Sequence, residues 1–306
     1  RLSLPDYWDV PFTNGWLGMK GHFFYGMMTD DGWQKDFTLC QSKYTEHAKL
    51  HTKAGYLRIG KKRLTAELGI EMACQYGGTS YNVGYEKLTV IHEDGIKGML
   101  RALIPGGGEA VETTYRNTSG NHLGSWLARV NLDYDSWGVS VYADHYFEDQ
   151  SSMFLLDYDG YGSGEEWNVK KDSRFLFYGI HDTMLGAELS LKQCPWLSNI
   201  VVEYLHMKYL SGPIYHDHTQ LMSDHLGGRD DFYNHYLMTG WQHWGQVMGN
   251  PLYLSPLYNA DRKIAVRNNR FYAWHLGVSG QPVKGLSYRA LFTFQKGYGT
   301  YEKPLD

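Results

Sequence analysis

The 306-residue chain has no apolar run approaching the roughly 20 residues that a transmembrane helix needs. Its mean hydropathy is −0.47. Helical spans are therefore excluded, but strands are not, because a membrane strand needs only about 9–11 residues that alternate apolar with polar. Cysteine is scarce. Cys40, Cys74 and Cys194 are three, an odd number without metal-ligand spacing, so a disulfide framework is not indicated, though one bridge stays open. Clustered positive charge is missing as well. The net charge is −4 and the longest basic run, Lys61-Lys62-Arg63, reads as a solvated turn, which argues against a nucleic-acid partner.

Catalytic signatures are absent too: no Gly-x-Ser-x-Gly, no His-Glu-x-x-His and no glycine-rich phosphate loop before a helix. Acidic pairs occur at Asp30-Asp31, Glu165-Glu166 and Asp230-Asp231. Glycoside hydrolysis needs two carboxylates at a set separation across a bond, and sequence neighbours do not establish that distance. His216-Asp217-His218 looks like a metal pair but lacks a third ligand at a characteristic spacing, so it reads as a polar turn. No enzyme activity, cofactor or metal is expected.

What the chain does have is aromatic residues: 25 Tyr, 12 Phe and 10 Trp. Tyrosine and tryptophan serve two physical ends in such excess, anchoring at membrane interfaces and stacking on sugar faces. The other strong signal has period two. Leu64, Ala66, Leu68, Ile70 and Met72 oppose Thr65, Glu67, Glu71 and Gln75. Trp126, Ala128, Val130, Leu132 and Tyr134 oppose Ser125, Arg129, Asn131 and Asp133. Similar rows run through Leu185–Leu191 and Leu286–Gln295, with weaker ones in Trp16–Met27, Trp137–Glu148, Ile200–Tyr209 and Arg270–Ser279.

Short turns at Asp135-Ser136 and within Gly280–Gly285 make the neighbours antiparallel hairpins. A soluble sandwich or propeller gives the same alternation. Strands of about ten residues, above the ~5–6 typical of soluble sheets, and interfacial aromatics favour a membrane barrel instead. Charges of both signs on the polar face then suggest a plugged or hydrogen-bonded lumen.

One segment has helical spacing. Ile96, Met99, Leu100, Leu103 and Ile104 follow Asp94, a plausible N-cap, and Pro105-Gly106-Gly107-Gly108 ends the pattern. This short helix is expected to cover an end of the barrel or to sit inside it. Ser42–Lys53 reads as helix or loop. Long connections (77–121, 149–174, 211–239 and 245–269) are expected to face outward and to carry function. Two of them combine aromatics with planar polar groups, as sugar sites do. Asp157–Trp167 holds Tyr158, Tyr161 and Trp167; Gly227–His235 holds Arg229, Asp230, Tyr233 and Asn234, followed by Trp241 and Trp244. Trp241 and Trp244 meet only if that segment is helical. A flexible loop and an Arg–Asp tie onto the barrel are the plainer readings of these stretches.

Four motifs, in order along the chain, carry a family resemblance: Asp9-Val-Pro-Phe-Thr-Asn-Gly-Trp-Leu-Gly-Met-Lys-Gly21, Asn121-His-Leu-Gly-Ser-Trp126, Gly227-Gly-Arg-Asp-Asp-Phe-Tyr-Asn234 with Thr239-Gly-Trp241, and Ser287–Tyr301. In these the chain resembles the capsule assembly Wzi family of Gram-negative outer-membrane proteins, in its Bacteroidetes-type branch. His235 departs from the pattern, standing where a second Asn is expected. The resemblance implies an all-β fold: an 18-stranded transmembrane barrel blocked by its own loops and helices, located in the bacterial outer membrane. It implies a lectin that anchors capsular polysaccharide, with outer-membrane lipid and other outer-membrane proteins as neighbours. Arg1 is no initiator and Tyr301–Asp306 holds no closing strand, so 1–306 is expected to be one barrel domain lacking N-terminal and final C-terminal strands. A diffusion channel and a scaffold subunit of a larger outer-membrane complex are the alternatives. The sugar-binding set expected from chemistry is Tyr158, Tyr161, Trp167, Arg229, Asp230, Tyr233, Asn234 and Trp241.

Overall fold

The computed structural model describes residues 1–104, 120–148, 153, 156–158, 174–175, 181–215 and 226–305. Ten long strands make one all-antiparallel sheet in chain order. They are β1 (Leu2–Asp9), β2 (Leu17–Met27), β3 (Lys49–Lys61), β4 (Leu64–Tyr76), β5 (Asn121–Asp133), β6 (Trp137–Glu148), β7 (Thr183–Leu191), β8 (Asn199–Met207), β9 (Phe271–Val283) and β10 (Leu286–Gly297). The period-two rows fall on strands as expected. β1 and β3 were not legible: the row of β3 that alternates with its apolar partners carries Lys49, His51 and Lys53, which hide the pattern.

The connections are lopsided. At one end of the sheet the turns span 10–16, 62–63, 134–136, 192–198 and 284–285; at the other the links span 28–48, 77–120, 149–182 and 208–270. The links of the second end add a helix α1 (Trp33–Thr38), a helix α2 (Gly95–Leu103) and small sheets. Ser42–Lys53, read as helix or loop, is instead the short strand Tyr44–Glu46 followed by the start of β3. Not every pairing is an antiparallel hairpin either, since Leu156–Tyr158 runs parallel to Ser211–Tyr215.

Register assigns each residue to a face. Ile59↔Ala66↔Val130↔Val141↔Ala187↔Val202↔Leu276↔Phe292 is one continuous row across eight strands. This apolar face is the open one: Leu64, Leu68, Phe292 and Phe294 are 57%, 54%, 62% and 61% exposed. On the polar face Glu67, Arg129, Glu188 and Glu203 are partly buried, and the face is laced together. Glu67 accepts from the Tyr7 hydroxyl at 2.7 Å and from Asn131 Nδ2 at 3.0 Å. Glu188 accepts from Arg129 Nη2 at 2.6 Å and from Asn199 Nδ2 at 2.9 Å. The Tyr142 ring lies across the backbone of Gly186, where a Cβ would stand 2.2 Å from the ring, and its hydroxyl donates to Glu203 at 2.5 Å. Aromatic cover of a glycine on the neighbouring strand is a known way to fix sheet curvature and register. A charge inside such a face stays affordable only when paired and hydrogen-bonded, as these are.

The core sits against the long-link half of the polar face. Leu205, Met207, Phe271 and Ala273 from the wall pack with Leu210, Phe232, Tyr233, Trp241, Tyr253 and Val266 from the last long link. That link also reaches Gln75 on β4, whose Nε2 donates to Gly240 O, and Gln295 on β10, whose Nε2 donates to Leu252 O. A flat sheet would hold those strands about 29 Å apart at ~4.8 Å per strand. Leu50, Ala73, Leu123, Tyr146 and Met184, from β3 to β7, pack against the same buried cluster as Leu205 and Phe271, so the sheet curls around residues 230–269, which fill it at one end as a plug.

Helix α2 corrects its expected place. It neither caps an end nor enters the interior but lies on the outer, apolar face. Its small residues Gly98 and Ala102 face the wall, and Ala102 packs with Cys74, Tyr76 and Tyr25. Lys49 binds the N-cap Asp94 at 2.5 Å, Lys53 donates to the carbonyls of Ala102 and Leu103, and the Tyr25 hydroxyl donates to Met99 O at 2.6 Å. Two lysines four residues apart on a strand are about 13 Å apart, close to the ~13.5 Å length of a nine-residue helix, so α2 runs along β3 and is tied at both ends.

Candidate functional site

The site is the long-link end of the sheet, where plug, α1 and the small sheets meet. Side chains at the rim of the wall hold the long links through their backbone. Glu148 Oε1 accepts from Tyr233 N at 2.5 Å, and Asp182 accepts from the backbone N–H groups of Leu210 and Ser211 at 2.7 and 2.5 Å. Within the plug, Asn234 makes a reciprocal pair with Val266, donating to its carbonyl at 2.9 Å and accepting from its N–H at 2.8 Å. Tyr233 stacks on Tyr253 at 3.8 Å, and Tyr253 meets Phe271 edge-on at 5.2 Å. Gly240 has φ +76, and a Cβ there would lie 2.1 Å from Tyr233 O, so only glycine closes this turn.

Polar groups join the links to each other. Gln34 Oε1 on α1 accepts from Thr45 N and from the Thr239 hydroxyl, at 3.0 and 2.8 Å. Lys43 donates to the backbone carbonyls of His235 and Tyr236, and burial lowers its ammonium to about 8 against the pull of Asp231. His235 Nδ1 accepts from the N–H groups of Leu237 and Met238 at 3.3 and 3.0 Å. Burial, with Lys43 next, lowers His235 to about 3, so the ring is neutral and its acceptor role is stable. Asp230 is pushed the other way, up to about 6, by burial.

The expected sugar-binding residues divide accordingly. Tyr161 and Trp167 lie outside the described residues, as does His216-Asp217-His218. Tyr158 and Arg229 fall on one four-stranded sheet, separated by Ser211–Tyr215; Tyr158 pairs with Tyr215, and Arg229 pairs with Ser211 at the other end of that strand. Asp230 follows at its base, donating its N–H to Leu210 O. Tyr233 and Trp241 are core residues, and Asn234 is committed to Val266. These three hold the plug, and neither ring offers a free stacking face. Trp241 and Trp244 point apart, since Trp241 is 2% exposed and Trp244 44%.

Other aromatics take the exposed positions. Trp244 and Tyr258 are drawn together where Leu257 N donates to Gly245 O at 2.9 Å. The Tyr236 hydroxyl lies against Gly84, where a Cβ would stand 3.0 Å from it, and the fully exposed Tyr85 is the next residue. All four are open to solvent, Tyr258 to 73%. Trp244 is held by its indole N–H on Thr29 O at 3.2 Å. Nothing in the pattern separated these rings from the buried ones, because plug residues have no periodicity.

The chain matches no protein-family model, no curated protein and no solved structure. Among the described residues no group of three or more His, Cys, Asp and Glu is placed to hold a metal, and no helix is long and apolar enough to cross a membrane, which says nothing of strands.

Proposed function

We propose that the chain is the wall and plug of a bacterial outer-membrane β-barrel that holds a surface polysaccharide of the capsule type without turning it over. The observation that carries the reading is the inversion of the sheet: Leu68, Val141 and Phe292 of the aliphatic face are more than half exposed, while Glu67, Arg129, Glu188 and Glu203 on the opposite face are partly buried and hydrogen-bonded. A soluble sheet does the reverse. Short turns at one end and long links at the other are the usual asymmetry of such barrels, the long links facing outward. The family resemblance of the four motifs points the same way.

β1 and β10 are the edges of the sheet. Lipid cannot satisfy unpaired backbone groups, so in a membrane the wall must be completed, by edge-to-edge closure or by further strands. The polar interior alone would suit a diffusion channel, but the plug fills one end of it. Glycan retention would come from weak stacking on Tyr85, Tyr236, Trp244 and Tyr258, repeated along a polymer so that multivalency supplies the hold. Arg229, on the small sheet of the same long-link end, and the sequence-derived Tyr158 and Trp167 are further candidates.

The test is co-sedimentation of the detergent-purified protein with capsular polysaccharide. Each of Trp244→Ala, Tyr236→Ala and Arg229→Ala is expected to weaken retention, at about 1 kcal/mol or roughly fivefold per lost platform. Full retention in all three rejects the surface as the site. Steady ohmic steps in planar bilayers would favour the channel, and stoichiometric partners from mild detergent would favour the scaffold.

A further inference from the structure

Helix α2 and the wall beneath it leave a groove of about 360 Å³ on the apolar face, lined by Gly55, Ile70, Met72, Leu103, Ile104 and Met153, with Lys53 at its margin. Gly55 is its floor, and a Cβ added there would have no atom within 4 Å among the described residues. The side of α2 turned away from the wall is apolar as well, with Ile96, Leu100 and Ile104 exposed. Charge runs along one side of the helix, from Glu93 and Asp94 at its start through Lys97 to Arg101 in its last turn. Glu93 holds Lys97 at 2.6 Å and also Arg101, and Lys49 holds Asp94, so the strap carries Lys49, Lys53, Lys97 and Arg101 against only Glu93 and Asp94.

We propose that this groove binds one membrane lipid with an anionic headgroup: an acyl chain along Gly55 and Ile104, and the headgroup at Lys97. The order along the wall fits that occupant. Lys97 lies seven residues N-terminal to Ile104, about 10 Å nearer the long-link end at 1.5 Å per residue, which is the end that meets the headgroups. The groove is continuous with the open aliphatic row Leu57–Leu68 through the paired Gly55 and Ile70. It therefore adjoins acyl chains wherever that row does. At chain depth Lys53 donates to the C-terminal carbonyls of α2, where a cation is favoured, and Arg101 reaches back to Glu93.

The inference rests on the membrane reading, and the experiment separates the two. Full-length protein is refolded into vesicles of phosphatidylethanolamine with one-fifth phosphatidylglycerol, extracted in mild detergent, and its retained lipid counted by native mass spectrometry. Wild-type protein is expected to retain one phosphatidylglycerol per chain. Gly55→Phe, whose Cβ enters open space and whose ring is placed in the groove, should retain at least tenfold less while inserting normally. Lys97→Glu should keep a lipid but lose the preference for the anionic one. Insertion with equal retention by wild type and Gly55→Phe overturns the lipid site and leaves the barrel standing. Failure of the wild type to insert overturns both.

Discussion

Replacing Val141 by arginine tests the medium that touches the sheet. Val141 sits near the middle of β6, 58% exposed, paired with Val130 on one side and Ala187 on the other. No neighbouring carboxylate shares its row, because the acids occupy the opposite face. In water an arginine there has room to extend and would change stability by no more than about 0.5 kcal/mol. At the midplane of a bilayer the same change costs about 2–4 kcal/mol, a factor of roughly 30 to 700 in the folding equilibrium. The measurement is urea unfolding of the protein folded in phospholipid vesicles, followed by tryptophan fluorescence and by gel mobility. Ser140→Ala, one residue away on the inner face, serves as control; it removes one hydrogen bond, to Asn131, worth about 1 kcal/mol. A Val141→Arg variant within 0.5 kcal/mol of wild type in vesicles refutes the lipid-facing assignment.

Gly186→Ala would drive a Cβ into the Tyr142 ring and break its bond to Glu203, so a loss of about 1–3 kcal/mol is expected in the same unfolding assay, with Gly55→Ala near neutral. For pH, the lowered His235 contributes stability that is complete above about 6.5 and is lost as pH falls toward 3, while the raised Asp230 contributes stability present below about 3.8 and lost as pH rises through 6. The two slopes oppose each other. Thermal midpoints between about pH 4 and 7 should show His235→Asn less acid-sensitive than wild type and Asp230→Asn more so; parallel curves for all three would remove both assignments.

Period two made most of the wall legible, and the breaks in it are instructive. Leu64–Met72 and Leu286–Phe294 announce strands because their outward rows are uninterrupted. β3 does not, because its outward Lys49 and Lys53 serve α2, a partner the sequence gives no means of placing. The helix itself was readable from Asp94 and the spacing of Ile96, Leu100 and Leu103, yet its position was not. Its apolar stripe suggested a helix at an end of the barrel or inside it, whereas Gly98 and Ala102, which lie off that stripe, are the residues buried against the wall. The candidate site fared worse. Tyr233 and Trp241 have the composition of a sugar platform and are core, while Trp244 and Tyr258 have the same composition and are open. What separates them is whether the plug enters the sheet, and that depends on contacts far along the chain: Gln75 and Gln295 donate to the Gly240 and Leu252 carbonyls, and Glu148 accepts from Tyr233 N–H.

Alternation by itself is symmetric: it says that a strand has two unlike faces and not which of them is inside. The curl of the sheet breaks that symmetry. Once residues 230–269 bind β4 and β10 together, the face bearing Glu67, Arg129, Glu188 and Glu203 must be concave, and every aliphatic residue of the alternate row is turned out. The plug is thus the element that fixes which side is concave, and the contacts that hold it are the same ones that curl the sheet. Loosening it at Asn234 would therefore be felt along the whole polar face, whereas a change at Trp244 or Tyr258 would be felt only where a ligand lies.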